Sequence, residues 1–217
     1  MTFSRTEITA LLDRHGLAPR RAFGQNFVID ANTVRKIARL ADVGAGDFVL
    51  EIGAGLGSLT LALAETGANI TAVEIDNGLV EVLRSNTANL ENVEIVHADA
   101  MALDWQPLLA KSNRWHVVAN LPYNVATIIV ADLLDGIAEV EHMLVMVQSE
   151  VADRLVANAG DEAYGAVSVK LNYWATSKIV GQVPPSVFFP QPRVESALVD
   201  IRRRAQPGVS GVVAKEL

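Results

Sequence analysis

The sequence predicts an α/β fold: a doubly wound, mostly parallel sheet closed at one edge by a terminal antiparallel hairpin. Three observations predict it. Short apolar runs alternate with amphipathic stretches between residues 47 and 175, as expected of buried parallel strands joined by crossover helices. The first run ends in Glu51-Ile52-Gly53-Ala54-Gly55-Leu56-Gly57, a tight glycine turn that leads into a helix. Two last runs, 178–183 and 195–203, bracket a loop rich in proline (Pro184, Pro185, Pro190, Pro192) and read as a hairpin at one sheet edge.

The elements follow in order. Two lead-in helices span about Arg5–Arg14 and Ala31–Leu40, with an irregular segment, Gly16–Ile29, between them. Strands are expected near 47–52, 70–75, 93–98, 116–120 and 142–148, each a β-branched or apolar run. Helices are expected near 58–66, 77–87, 126–135, 149–158 and 163–175, the first stopped by Gly67. This divides the chain into an N-terminal helical segment (1–46), a Rossmann-like domain (47–204) and a flexible tail (205–217). Internal repeats are absent, and low complexity is confined to the tail.

Composition bounds the function. At 217 residues and 50% hydrophobic content the chain can bury one large core. With no Cys, disulfides and thiolate metal sites are excluded. The His residues at 15, 97, 116 and 142 have no ligand spacing and are expected to be structural or surface groups, so no metal is expected. No apolar run approaches membrane-spanning length, and Met1-Thr2-Phe3-Ser4-Arg5 lacks a signal-peptide core. A soluble, cytoplasmic, monomeric protein without membrane association is the expectation.

The chemistry concentrates at the carboxyl ends of successive strands, where ligands bind in open α/β sheets. The glycine spacing is Gly-x-Gly-x-Gly, unlike the Gly-x-Gly-x-x-Gly of nicotinamide sites, and an acidic residue precedes it. Glu74 ends the second strand about 20 residues after Gly53, where a carboxylate can accept both hydroxyls of a ribose. Asp99 ends the third strand, and Asn120-Leu121-Pro122-Tyr123 ends the fourth. This tetrapeptide combines an amide oxygen, carbonyls beside a proline without an N–H, and an aromatic ring. The set suits a planar exocyclic amine: the oxygens accept its hydrogens and the ring stacks on the base. Blander readings stand beside each: a strand followed by a turn for the tetrapeptide, a surface carboxylate for Glu74, and a helix cap for Asp99. Asn26 by itself is a cap or turn residue, and Phe188 a packed aromatic.

The ordered set Phe-Gly-Gln-Asn-Phe (23–27), Glu51–Gly57, Glu74, Asp99, Asn120–Tyr123 and Pro-Ser-Val-Phe-Phe-Pro-Gln-Pro-Arg-Val-Glu-Ser (185–196) resembles the ribosomal RNA adenine dimethyltransferases, over about residues 18–203. Glu162-Ala163-Tyr164-Gly165 and the proline-rich segment favour their bacterial small-subunit branch. The resemblance implies the class I methyltransferase version of the fold and S-adenosyl-L-methionine as cofactor. It implies N6,N6-dimethylation of two adjacent adenosines in the 3′-terminal hairpin loop of 16S rRNA, within an immature 30S subunit. It assigns Asn26, Val28, Gly53, Glu74, Asp99 and Asn120 to the cofactor, Asp99 on the adenine amino group, and implies that the N-terminal segment, 1–46, is a cofactor lid. Asn120, Leu121, Pro122, Tyr123 and Phe188 then hold the target base, with Phe188 opposite Tyr123. Gln148 and Glu150 receive no role. Family members usually carry a further helical domain beyond the point where this chain ends, so a truncated form or excised catalytic domain is expected.

The net charge of −7 is unevenly placed. Residues 1–40 carry +4, 41–150 carry −13 and 151–217 carry +2. The expectation is that Arg14, Arg20, Arg21, Arg35, Lys36, Arg39, Arg193 and Arg202–Arg204 border the mouth and meet phosphates, against the plainer reading of an acidic surface with ordinary tails. Three other functions share parts of the pattern. They are a 23S rRNA resistance methyltransferase, a nicotinamide oxidoreductase (disfavoured by the glycine spacing), and a non-catalytic assembly or transcription factor.

Overall fold

The computed structural model describes residues 3–20 and 24–208. A seven-stranded sheet runs in the order β4(Val93–His97), β3(Asn69–Glu74), β2(Phe48–Ile52), β5(Trp115–Asn120), β6(Val140–Gln148), β9(Ser196–Arg203), β7(Ala175–Val183). The first five strands are mutually parallel, while β9 is antiparallel to both neighbours. The chain reverses its winding between β2 and β5, and their carboxyl ends flank the resulting crevice.

Strand alternation sorts the core into two layers. Val49, Val118, Leu144, Met146 and Leu198 face α2(Ala31–Ala41) and α3(Ser58–Ala64). Leu50, Ile52, Val117, Ala119, Val145 and Val199 face α6(Ala126–Gly136), α7(Ser149–Val156) and α8(Ala166–Trp174). α4(Asn77–Thr87) covers Ala54 and Ala72 through Leu83. Trp115 is fully buried, and its indole N–H donates to the Leu109 and Ser112 carbonyls, so the largest core side chain leaves no polar orphan.

Local chemistry sets the helix starts. Ser4 and Glu7 form a capping box on α1(Arg5–Arg14), and Asp30 caps α2 through the Thr33 N–H. The helix expected from 163 begins at Ala166, because Gly165 is extended and donates its N–H to Ser168 Oγ. β7 starts at Ala175, directly after α8. Two elements were not expected. A short helix, α5(Trp105–Leu109), is capped by Asp104. A two-residue strand, β1(Phe27–Val28), pairs antiparallel with β8(Phe188–Phe189). Pairs this short carry no periodicity of their own, and this one joins opposite ends of the chain.

The residues of the expected N-terminal lid, 1–46, do not all pack alike. α2 buries Val34, Ile37 and Ala41 in the same cluster as β5 and β6, so it is built into the sheet's helical layer. Among the described residues before it, Ile8 and Leu12 of α1 pack on Phe27, Leu56 and Leu79 at the crevice. At the other extremity, the Gly208 N–H donates to the Tyr173 carbonyl; residues 209–217 of the expected tail lie outside the described residues.

Far from the crevice, the His142 Nε2–H donates to Asp200 Oδ1 at 2.7 Å, and its ring meets His116 at 3.3 Å. Burial lowers the affinity of both imidazoles for a proton, outweighing the Asp200 carboxylate in the case of His142. The unfolded chain therefore takes up more protons below about pH 6.5, and stability falls as pH drops through that value. Urea titrations at pH 7 and 5.5 should show a smaller loss for His142→Gln than for wild type; identical losses would exclude His142 as a source.

Candidate active site

A roof and a floor define the site. The floor is the glycine turn after β2. Gly53 (φ +77) and Gly55 (φ +59) adopt left-handed backbone conformations that disfavour any other residue. A Cβ at Gly55 would also come within 3.3 Å of the Phe27 ring. The roof is residues 24–28, whose Gly24 lies against Pro122 and whose Phe27 covers Gly55. It is pinned at one side where Gln25 donates to Asp76 Oδ2, which also pairs with Arg20 at 3.5 Å. It is pinned at the other where the Asn120 amide N–H donates to the Asn26 carbonyl at 3.0 Å.

Two adjoining cavities lie between them. One is lined by Gly24–Val28, Glu51, Gly53–Leu56, Glu74, Asn120 and Pro122. The second is lined by Ile52, Gly53, Ile75, Ala98–Met101, Pro122 and Asn124, and so contains Asp99. Gly53, Ile75 and Pro122 belong to both. Asn26, Val28, Gly53, Glu74, Asp99 and Asn120 are thus gathered around one composite crevice.

Their hydrogen bonds differ. Glu74 is buried; Oε2 accepts the Gly55 N–H at 2.8 Å, and Oε1 accepts those of Ile75 and Asp76 at 2.9 Å. Burial pushes its carboxyl up, and these backbone donors pull it back. Asp99 is exposed at the rim, with Oδ1 accepting the Met101 N–H. The Asn26 side chain is used locally, donating to the Gly24 carbonyl. Val28 is held in β1.

In the tetrapeptide, the bond from the Asn120 N–H to Asn26 fixes the amide plane and turns the amide oxygen away from that contact, where it accepts no hydrogen bond among the described residues. Leu121 is buried, and its N–H donates to the Met146 carbonyl. The Pro122 carbonyl accepts the Val125 and Ala126 N–H groups and is committed to the first turn of α6. The Leu121 carbonyl, which takes no such bond among the described residues, is therefore the available partner to the Asn120 oxygen. The Tyr123 hydroxyl lies 2.9 Å from Ser196 Oγ.

Two expectations are corrected. Phe188 is 1% exposed and packs with Val28, Ile37, Met146 and Leu198, so its ring fills the core and presents no face opposite Tyr123. The β1–β8 pairing turns it inward. Arg202–Arg204 do not border the mouth: the antiparallel course of β9 carries them to the far end of the sheet, level with His142 and Ala175. There the Arg203 guanidinium donates to the carbonyls of Leu133, Leu134 and Ile137 and caps α6, while Arg204 donates to Asn172 and Ala175. Arg193 is exposed in the loop before β9, at the crevice end, and Arg21 lies outside the described residues.

The sequence marks Glu51 only as an acidic residue beside the glycines. It is 2% exposed, lines the first cavity, and its Oε2 has no hydrogen-bond partner among the described residues. Burial raises its pKa to about 8, with the Glu74 charge a smaller contribution in the same direction. The signal available in the sequence was its position immediately before Ile52-Gly53.

The sequence profile of the family described as ribosomal RNA adenine dimethylase matches residues 16–214. The chain is 47% identical over 209 residues to Ribosomal RNA small subunit methyltransferase A of Cutibacterium acnes, covering 94% of this chain and 69% of that protein. It is 47% identical over 197 residues to the protein of the same name from Streptomyces coelicolor, covering 88% and 68%. Among solved structures it superposes on the 23S rRNA methyltransferase ErmE (TM-score 0.75, 28% identity, 88% of this chain and 75% of that one). It also superposes on a dimethyladenosine transferase from Plasmodium falciparum (TM-score 0.73, 24% identity, 82% and 63%), a likeness of fold. With the profile spanning nearly the whole chain and the motif residues collected in one crevice, the chain belongs to the ribosomal RNA adenine dimethylase family.

Proposed function

We propose that the protein transfers methyl groups from S-adenosylmethionine to the exocyclic nitrogen of adenosines in small-subunit rRNA. Two adjacent adenosines of the 3′-terminal hairpin loop of 16S rRNA, dimethylated within an immature 30S particle in the cytoplasm by a monomer, are the reading we favour. The observation that carries it is the acceptor pair at the crevice: the oriented Asn120 oxygen and the Leu121 carbonyl, which accepts no backbone hydrogen bond among the described residues, beside Tyr123. The near-identical naming of relatives at 47% identity supports the small subunit over the 23S alternative. Among the described residues no helix is long and apolar enough to cross a membrane.

The residues present fit the cofactor. Glu51 offers an unpartnered buried carboxylate oxygen, which suits a ligand ammonium. Glu74 retains lone pairs beyond its three backbone donors and suits ribose hydroxyls. Asp99 at the rim suits an adenine amine. When bound, S-adenosylmethionine supplies an electrophilic methyl group. The protein's part is alignment: the acceptors take both amino hydrogens of the target base, favour a pyramidal nitrogen and stabilise its developing positive charge. A strong base is unnecessary, because the methylated ammonium is itself acidic. Entry requires an unstacked base, which favours loop adenosines.

Glu51 makes a pH test possible. A cationic ligand favours its ionised form, so binding releases a proton and affinity rises with pH below about 8. Between pH 5.5 and 7 the cofactor Kd should fall by up to about tenfold per unit in wild type and stay flat in Glu51→Gln. Parallel profiles would remove Glu51 from the site. The function itself is tested by tritiated methyl transfer onto small subunits lacking the modification and, in parallel, onto isolated 23S RNA, with mapping of the label. Label on adjacent 16S adenosines is expected; label confined to 23S RNA, or none, would overturn it.

A further inference from the structure

We infer that Ser196 is a positioning residue for the target base, acting through the Tyr123 hydroxyl; the inference rests on the proposed function and deepens it. Tyr123 follows the acceptor pair by two residues, on a loop rather than in a strand, so the backbone alone does not hold its ring. The hydroxyl does. It meets Ser196 Oγ at 2.9 Å, a contact between residues 73 apart in the chain. Ser196 is a firm anchor: it is wholly buried, it opens β9, and it is paired on one side with Gln148 of β6 and on the other with Val183 of β7. The adjacent Glu195 carbonyl accepts the Ser149 N–H, which locks the strand entrance further.

The physics makes this bond a hinge stop. Tyr123 is half-buried, and burial pushes its hydroxyl above the usual phenol range, so the group stays protonated and keeps its hydrogen bond to Ser196. Swinging the ring outward would break the hydrogen bond and leave a buried serine hydroxyl unpaired. With only two side-chain torsions, anchoring the hydroxyl sets the ring plane. That plane is what a base must stack against for its amine to reach the Asn120 oxygen and the Leu121 carbonyl together. The need is sharper here because the ring of Phe188 is buried in the core and offers no second wall. A hydroxyl on this aromatic is thereby explained: phenylalanine would stack equally well but would not be held.

The test compares wild type, Ser196→Ala, Tyr123→Phe and the double variant, all as full chains. Single-turnover methylation of unmethylated small subunits is followed at saturating cofactor over a range of particle concentrations. Each single variant should lower the maximal rate about three- to tenfold, the scale of one net hydrogen bond. The half-saturating particle concentration and the cofactor affinity should stay within about twofold, since docking precedes base alignment. The double variant should be no slower than the slower single variant, because both remove the same bond. Tyr123→Phe alters the less buried side of the pair, so it remains informative if Ser196→Ala folds poorly. Unchanged maximal rates in a folded single variant would overturn the inference, as would losses that multiply in the double variant. An inactive wild type that still binds cofactor would overturn the functional reading and this inference together; an active wild type with indifferent variants overturns this inference alone.

Discussion

Asn120→Ala is expected to cut single-turnover methyl transfer by roughly 10²–10³ while leaving cofactor affinity within about tenfold. The magnitude is that of losing one oriented polar group that meets charge as it develops. Geometry sharpens the expectation. The amide N–H is tied to the Asn26 carbonyl at 3.0 Å, so its oxygen is pre-aimed and needs no reorganisation when the amine arrives. Asn120→Asp is the informative companion, because a carboxylate cannot donate to Asn26 and would repel that carbonyl. It should lose both the orientation and the roof contact. Rates near wild type in Asn120→Ala, measured by rapid quench with saturating cofactor, would reduce the amide to a strand-end turn residue.

Glu74→Ala should weaken S-adenosylmethionine binding by about 1.5–3 kcal/mol, the range for hydrogen bonds to a charged group. The side chain has two tasks. Its oxygens already hold the N–H groups of Gly55, Ile75 and Asp76, and so shape the glycine turn before any ligand arrives. Truncation therefore also loosens the loop and exposes three backbone donors. Glu74→Gln separates the tasks: its amide oxygen keeps part of the backbone network, while its N–H₂ end cannot accept. Calorimetry on folded protein is the measurement. An unchanged cofactor Kd in Glu74→Ala would leave the residue with the structural task alone.

Particular residues show how far sequence carries. The strand ends bearing Gly53, Glu74, Asp99 and Asn120 were legible because each follows a short run rich in β-branched and apolar residues, and in a parallel sheet such runs end at one edge. The alternation of helix and strand was legible for the same local reason. Phe188 was misplaced, since nothing in Pro185–Pro190 announces that Phe188 pairs with Val28 and turns inward. Arg202–Arg204 were misplaced because a run of cations looks like a surface, whereas Arg203 spends its guanidinium on the end of α6. The availability of Leu121 over Pro122 as an acceptor depended on where α6 begins.

What the sequence determined by itself is the scaffold and the family: period, glycine turn and strand-end chemistry are properties of neighbouring residues, and they survive without knowledge of contacts. What only the tertiary structure decided is how separate pieces meet. The roof of 24–28 on Asn120 and Pro122, the orphaned oxygen of Glu51, and the Tyr123–Ser196 bond all join residues far apart in the chain or depend on complete burial. Hydrogen-bond satisfaction and desolvation belong to such assembled surroundings, so no local pattern encodes which oxygen is left free.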